Sequence, residues 1–583
     1  MPCKHLLFLL MSILAVPTAY GQQTAWGRQQ EALGPYDVQD SAMIRTHDGA
    51  EISAMVLRQK GDRTPKPVVL QFTIYVRDHG RDLQSLREAV DRGYVGVIAY
   101  TRGKRFSTSE IYPYEKDGDD AYDVIDWISK QAWCNGKVGM YGGSYNGFTQ
   151  WAAAKKLHPA LKTIVPYVAN RPGMGLPMEN NIFINPNYEW SFYVGNNRYL
   201  DNDTGDDRKR FRNMMFKWWK TGAAYQKMDS IDGTPNRLFQ RWIAHPDFDR
   251  YWQDMAPYGK DFAQINIPVL AFDGYYNDSQ NSSLYYLREL QKYHPKTPVY
   301  LVIGPYGHFG TQLGGEETIN GYTISKKALF PMKDYTYQWL DYILKDAAKP
   351  SFLKDRINYQ VMGTDQWRSA ASIARMPNDY FKFYLSADTN GKTYLLSENK
   401  PKNTTYLQQE VDFSDRSSSN NDYYPDPIIR ENIIGENGYV FMSELLKEAV
   451  LLNGSFLGEI NLEINKKDVD IGVTLYEVLP NGQYFHLSYY IGRASYADDM
   501  TRRKLLTPHR KTTIKFDRTH LVSKQLQQGS KLAIVLNVNK NPFSELNYGT
   551  GKLVRTETIA DAKAPLVVKW YTDSFIKIPV LKE

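Results

Sequence analysis

Short apolar runs at 68–74, 96–100 and 138–141 alternate with stretches at 122–128 and 148–156 whose apolar residues recur at helical spacing. Such short runs, bounded by polar or turn residues, read as strands buried on both faces. A helix between consecutive strands makes them parallel neighbours in one sheet. The same alternation returns at 268–272, 284–290 and 299–303. Between the two halves, over residues 172–262, the pattern turns aromatic and helical with many Asn and Asp, as at 216–220 and 239–243. An insertion that interrupts a parallel sheet is expected to roof the crevice beyond the strands' carboxyl ends, where such sheets bind ligands. Beyond about residue 350 helical patterns become rare. Alternating runs at 381–385, 473–478 and 533–538 sit between Gly, Asn and Pro turns and predict an all-β domain of sandwich or jelly-roll type. The chain is therefore expected to comprise an α/β unit in two parts, 22–171 and 263–350, a helical cap at 172–262, and a β domain at 351–583.

Composition adds little to that outline, but the N-terminus changes it. Lys4 precedes an apolar stretch over 6–16, and Ala19-Tyr20-Gly21 supplies the small residues that a signal peptidase reads. Residues 1–21 are expected to be a cleaved signal peptide, and the mature chain to be periplasmic or secreted. Cys3 leaves with that segment, so Cys134 has no partner for an intramolecular disulfide. No apolar run reaches the roughly 18 residues that a membrane span needs. The net charge of +7 is spread along the chain without a Lys/Arg block, so nucleic acid is not an expected partner.

The candidate chemistry begins at Gly142-Gly143-Ser144-Tyr145-Asn146-Gly147, which lies between a strand and a helix. A serine on such a tight turn exposes its hydroxyl, and the small residues on either side let strand and helix approach. A serine hydroxyl is a poor nucleophile until a base accepts its proton, and the base needs an acid partner to fix its tautomer. His308, in Gly304-Pro305-Tyr306-Gly307-His308 directly after the run at 299–303, fits the base. Asp278, in Gly274-Tyr275-Tyr276-Asn277-Asp278 after the run at 268–272, fits the acid. No His-Glu-x-x-His, Cys cluster, calcium loop or phosphate-cradling Gly-Lys loop occurs, and the expected chemistry needs no metal or cofactor.

With these residues in hand, the chain resembles the family of cocaine esterase, glutaryl-cephalosporanate acylase, α-amino acid ester hydrolase and X-Pro dipeptidyl-peptidase. The resemblance is carried by Thr101-Arg102-Gly103, by Asp119-Asp120-Ala121-Tyr122-Asp123 and by the stretch from Asn135 through Ser144 to Gly147. Gly304 to His308 carries it too, as does His245-Pro246-Asp247-Phe248-Asp249 within the cap. It implies an α/β-hydrolase with an inserted helical cap, followed by a C-terminal all-β jelly-roll domain. It also implies an oxyanion hole made by the backbone N–H of Tyr145 and the hydroxyl of Tyr75, beside the triad Ser144, Asp278 and His308. The expected substrate is a small-molecule or short-peptide acyl donor, an ester, an amide or an N-terminal dipeptide unit, cleaved through an acyl-enzyme. The oligomeric state stays open, a homo-oligomer included.

Two departures stand out. The family commonly has Gly-aromatic-aromatic-Asp, whereas here Asn277 holds the fourth place and Asp278 follows. Either the loop is shifted by one residue or Asn277 stands in for the acid. The amino ester branch also often carries an acid two residues after the nucleophile, where this chain has Asn146; if an ammonium is bound, cap carboxylates such as Asp247 or Asp249 are the candidates. A second reading is a degenerate, non-catalytic relative whose β domain binds carbohydrate or a protein, supported by the aromatic content of 14% and the displaced acid.

Overall fold

The computed structural model describes residues 34–421, 423–433 and 438–582; the expected signal peptide lies outside them. A 10-stranded sheet organises the first two thirds of the chain. Its strands are β1 (Tyr36–Arg45), β2 (Glu51–Gln59), β3 (Lys66–Thr73), β4 (Val95–Tyr100), β5 (Cys134–Gly143), β6 (Leu161–Tyr167), β7 (Val269–Tyr276), β8 (Val299–Gly307), β9 (Ile357–Gln360) and β10 (Trp367–Ala370). Side by side they run β1-β2-β4-β3-β5-β6-β7-β8-β9-β10. From β4 to β9 every pairing is parallel, and β1, β2 and β10 are antiparallel at the margins. β9 and β10, which follow residue 351, still pair with this sheet. Two four-residue strands have no pattern that separates them from those of a β domain.

The helix α1 (His79–Asp91) connects β3 to β4, α2 (Asp117–Ser129) leads to β5, and α3 (Tyr145–Lys156) leads on to β6. From Tyr145 to Ala154 every residue of α3 is buried. A helix covered all round belongs at the centre of the molecule, and its run of three alanines, Ala152 to Ala154, permits that close approach. Between β6 and β7 lies the insertion, whose main helices are α4 (Asn187–Gly195), α5 (Arg208–Thr221), α6 (Arg237–Ile243) and α7 (Arg250–Met255). The buried Lys104, just after β4, fastens it: its ammonium donates to the carbonyls of Val194, Asn197 and Tyr199 at 2.9, 2.8 and 3.2 Å, around the C-terminal end of α4. Cations are favoured at that end of a helix. Burial nevertheless draws the Lys104 ammonium down to about 8.

The second half of the unit adds α8 (Gln280–Tyr293) after β7, α9 (His308–Leu313) directly after β8, and α10 (Met332–Leu344). The remaining strands, from Asp379 to Leu581, form a mainly antiparallel β domain. This domain grips the loop after β7. Tyr276 donates its hydroxyl to the carbonyl of His486 at 3.1 Å, and Gln280 exchanges two hydrogen bonds, 3.0 and 2.6 Å, with the backbone of Leu521. Among the described residues no helix is long and apolar enough to cross a membrane.

Candidate active site

Ser144 stands between β5 and α3 with φ 61° and ψ −122°. A non-glycine residue held there stores about 1–3 kcal/mol of backbone strain, which the surroundings must impose. They do so by close packing: a Cβ on Gly147 would lie 2.8 Å from the carbonyl oxygen of Tyr167, and one on Gly143 would run into Gln312 of α9. The buried Gln150 staples the turn, donating to the carbonyl of Gly142 at 3.0 Å and accepting from the N–H of Val165 at 2.8 Å. The helix that begins with His308 therefore packs directly on the serine turn.

Tyr75, two residues past β3, brings its hydroxyl to 3.2 Å from Ser144 Oγ. The backbone N–H of Tyr145, the residue after the serine, also acts on the Tyr75 oxygen. Burial holds the Tyr75 phenol above its ordinary value and keeps it a donor. From the insertion, Trp190 directs its indole N–H at the Tyr75 oxygen at 3.4 Å and stacks on both Tyr145 and Trp242. The Tyr145 hydroxyl donates to the buried Asp117 at 2.8 Å. Trp190 thus belongs to the site; one Trp among many aromatics in the insertion gave no sequence signal to single it out.

His308 opens α9. Its Nδ1 lies 2.8 Å from Asn277 Oδ1, in hydrogen-bond geometry, and 3.4 Å from Asp278 Oδ1. Both side chains therefore face the same imidazole nitrogen, Asn277 with its amide oxygen and Asp278 with a carboxylate. Oδ1 of Asp278 is buried although the side chain as a whole is 42% exposed. Burial works against the imidazolium, but Asp278 and then Asp273 outweigh it and hold His308 above the ordinary histidine value. Burial likewise opposes the Asp278 carboxylate, and its partner His308 reverses that, leaving it below the usual range. Among the described residues Ser144 Oγ pairs with Tyr75, and no hydrogen bond joins it to His308.

Behind Asn277 lies a residue that sequence reasoning passed over. Asp273, within the wholly buried strand β7, accepts from Asn277 Nδ2 at 2.8 Å and from the N–H of Gly274 at 2.8 Å. A carboxylate ending an apolar strand run was the available signal. The carboxylates considered for an ammonium are engaged elsewhere: Asp247 accepts from Tyr496 at 2.5 Å, and Asp249 caps α7 and pairs with His245 at 2.7 Å. Asn146 is buried beside Gly142.

A model of the X-Pro dipeptidyl-peptidase (S15 family) matches residues 48–310, and one of the X-Pro dipeptidyl-peptidase C-terminal non-catalytic domain matches residues 353–566. The chain belongs to this family of α/β-hydrolases. S15 proteins are serine hydrolases, and this chain is one of them. The cocaine esterase of a Rhodococcus species is 24% identical over 575 residues, which cover 91% of this chain and 95% of that one. Two solved structures share the fold at a TM-score of 0.76 and 20% identity, each covering 94% of this chain and 97% of its own. One is an aminopeptidase from a marine sediment Thaumarchaeota archaeon, the other an α-amino acid ester hydrolase.

Proposed function

We propose that this chain is an exported serine hydrolase that cleaves a small acyl ester or amide, or an N-terminal dipeptide unit, with Ser144 as nucleophile. One observation carries the reading: a serine in a strained turn between strand and helix, with the Tyr75 hydroxyl 3.2 Å from its Oγ. The hydroxyl turns from Tyr75 to the free nitrogen of His308, as catalytic hydrogen bonds in unliganded enzymes often form only with substrate. Nε2 takes the serine proton while Oγ adds to the carbonyl carbon, and the resulting oxyanion accepts from Tyr75 and Tyr145. The imidazolium then protonates the leaving alcohol or amine. Water, deprotonated by the same nitrogen, adds to the acyl carbon, and the proton passes to Ser144 Oγ as the C–Oγ bond breaks and the acid leaves. Throughout, Nδ1 keeps its proton on Asn277, and the transient positive charge faces Asp278.

Support for the substrate class comes from what the relatives are named for, an esterase, an aminopeptidase and an amino acid ester hydrolase. Because Asn146 replaces an acid and both Asp247 and Asp249 are engaged, blocking the α-amino group of an acyl donor is expected to change specificity by less than tenfold. A panel of aminoacyl p-nitroanilides, their N-blocked forms, X-Pro amides and aryl esters tests this, and a strict need for a free amine would overturn it. Covalent labelling of Ser144 by a fluorophosphonate tests the nucleophile itself. The second reading, a degenerate relative that binds through its β domain, draws on the amide in place of a carboxylate at Nδ1; it predicts no labelling. Export rests on residues 1–21, and N-terminal sequencing of the mature protein is expected to begin near Gln22.

A further inference from the structure

We propose that Asp273 is a positioning residue that sets the proton of His308 through the side-chain amide of Asn277. The inference rests on the serine-hydrolase reading for its catalytic meaning and on geometry alone for the positioning.

An amide is an ambiguous partner for an imidazole. Its oxygen pairs with a protonated Nδ1, but after a flip its NH2 pairs with an unprotonated Nδ1, which leaves the proton on Nε2 and removes the base. That ambiguity is why an Asn in place of a triad Asp selects the wrong tautomer in serine proteases. Here the flip is blocked from both ends. Asp273 offers an acceptor, so Asn277 must turn its Nδ2 toward it, at 2.8 Å. Three groups that can donate face Asn277 Oδ1: His308 Nδ1 at 2.8 Å, Ser279 N–H at 3.4 Å and Ser279 Oγ at 3.3 Å. A flipped amide would oppose its oxygen to a carboxylate and its NH2 to the Ser279 N–H. With the amide fixed, Nδ1 must carry a hydrogen, a state that the Asp278 carboxylate 3.4 Å away also favours, and the lone pair is left on Nε2.

A carboxylate at 273 is an expensive way to build a strand. Asp273 is fully buried, and although Ser283, Asn277 and the Gly274 N–H all favour its charged form, burial outweighs them and pushes its carboxyl up to about 6. A buried charge with no cation beside it opposes folding even when it is hydrogen-bonded. A neutral Asn would satisfy the same donors with less penalty, but two amides in series can run in either direction, and only the carboxylate makes the relay one-way.

The test compares Asp273→Asn, Asn277→Ala, the double variant Asp273→Asn/Asn277→Asp and Asp273→Asn/Asn277→Ala, all in the full chain. Asp273→Asn is expected to lower kcat/KM by about 10- to 100-fold, to move its acid limb to lower pH because a negative charge near His308 is lost, and to leave Tm equal or higher. Moving the carboxylate one link closer, in Asp273→Asn/Asn277→Asp, is expected to restore kcat/KM to within about threefold of the wild type. In the Asn277→Ala background, Asp273→Asn is expected to change the rate by less than about twofold, the non-additivity of groups that act as a unit. Independently of turnover, ¹⁵N NMR of labelled histidines, with His308 assigned by its loss in His308→Gln, reads the tautomer: Nδ1–H in the wild type and a mixture in Asp273→Asn. An unchanged tautomer and an unchanged His308 titration in Asp273→Asn would overturn the proposal. If no substrate is turned over and Ser144 is not labelled, while the tautomer still changes, the hydrolase reading fails and the positioning role stands.

Discussion

The turn that carries Ser144 and the loop that carries Asn277 and Asp278 both follow strands of the same sheet, yet they are built in opposite ways. The serine turn works through backbone shape: small residues, a positive φ and a stapling Gln150 put the hydroxyl where it is. The acid loop works through side-chain reach. Asn277 and Asp278 are adjacent, and which one meets an imidazole 31 residues further on depends on how β7 and β8 are registered and on the grip of the β domain on Tyr276 and Gln280. A site can thus be rigidly specified on one side and redistributed on the other.

The largest effect expected is on the rigid side. Ser144→Ala is expected to abolish turnover, by at least about 10⁴-fold, with unfolding midpoints unchanged, since the hydroxyl contributes little packing. Residual hydrolysis within tenfold of the wild type would remove the serine turn from the comparison altogether. Tyr75→Phe takes away one donor to the developing oxyanion and is expected to lower kcat by about 10²–10³-fold with little change in KM; an unchanged kcat would return Tyr75 to a packing role.

On the redistributed side the losses should be smaller and shared. Asn277→Ala and Asp278→Asn are each expected to lower kcat/KM by about 10- to 100-fold, below the 10⁴ known for the lone acid of a serine protease, because both side chains face the same imidazole nitrogen. A 10⁴ loss in either variant alone would mean that the two do not share the role. The smallest effect is a shift in pH. The base must be neutral, and Asp278 and Asp273 outweigh burial in holding His308 above the ordinary value, so kcat/KM should fall on acidification through an apparent pKa above about 6.5. Asp278→Asn removes a charge that favours the imidazolium, so its acid limb should move to lower pH. A limb that stays in place would mean that Asp278 is too well solvated to act.

The legible parts of this protein are those set by local pattern. Alternating apolar runs and helical spacing predict the parallel α/β core, and the dense aromatic stretch at 172–262 predicts an insertion that does approach the site through Trp190. Position after a strand singled out Ser144, Tyr145, Tyr75 and His308, and the structure pairs Ser144 with Tyr75 and His308 with Asn277 and Asp278. The end of the sheet was less legible, because β9 and β10 are too short to carry a pattern that distinguishes an α/β edge from a β domain.

What the sequence determined by itself, then, is chemistry that depends on a residue's place relative to its own strand, because backbone conformation and glycine positions are local properties. Only the tertiary structure decided how Asn277, Asp278 and Asp273 are arranged around His308. That outcome turns on tenths of an ångström between side chains from neighbouring strands, on which oxygen is buried, and on an amide orientation fixed by partners from three places in the chain. No spacing along the sequence encodes those distances.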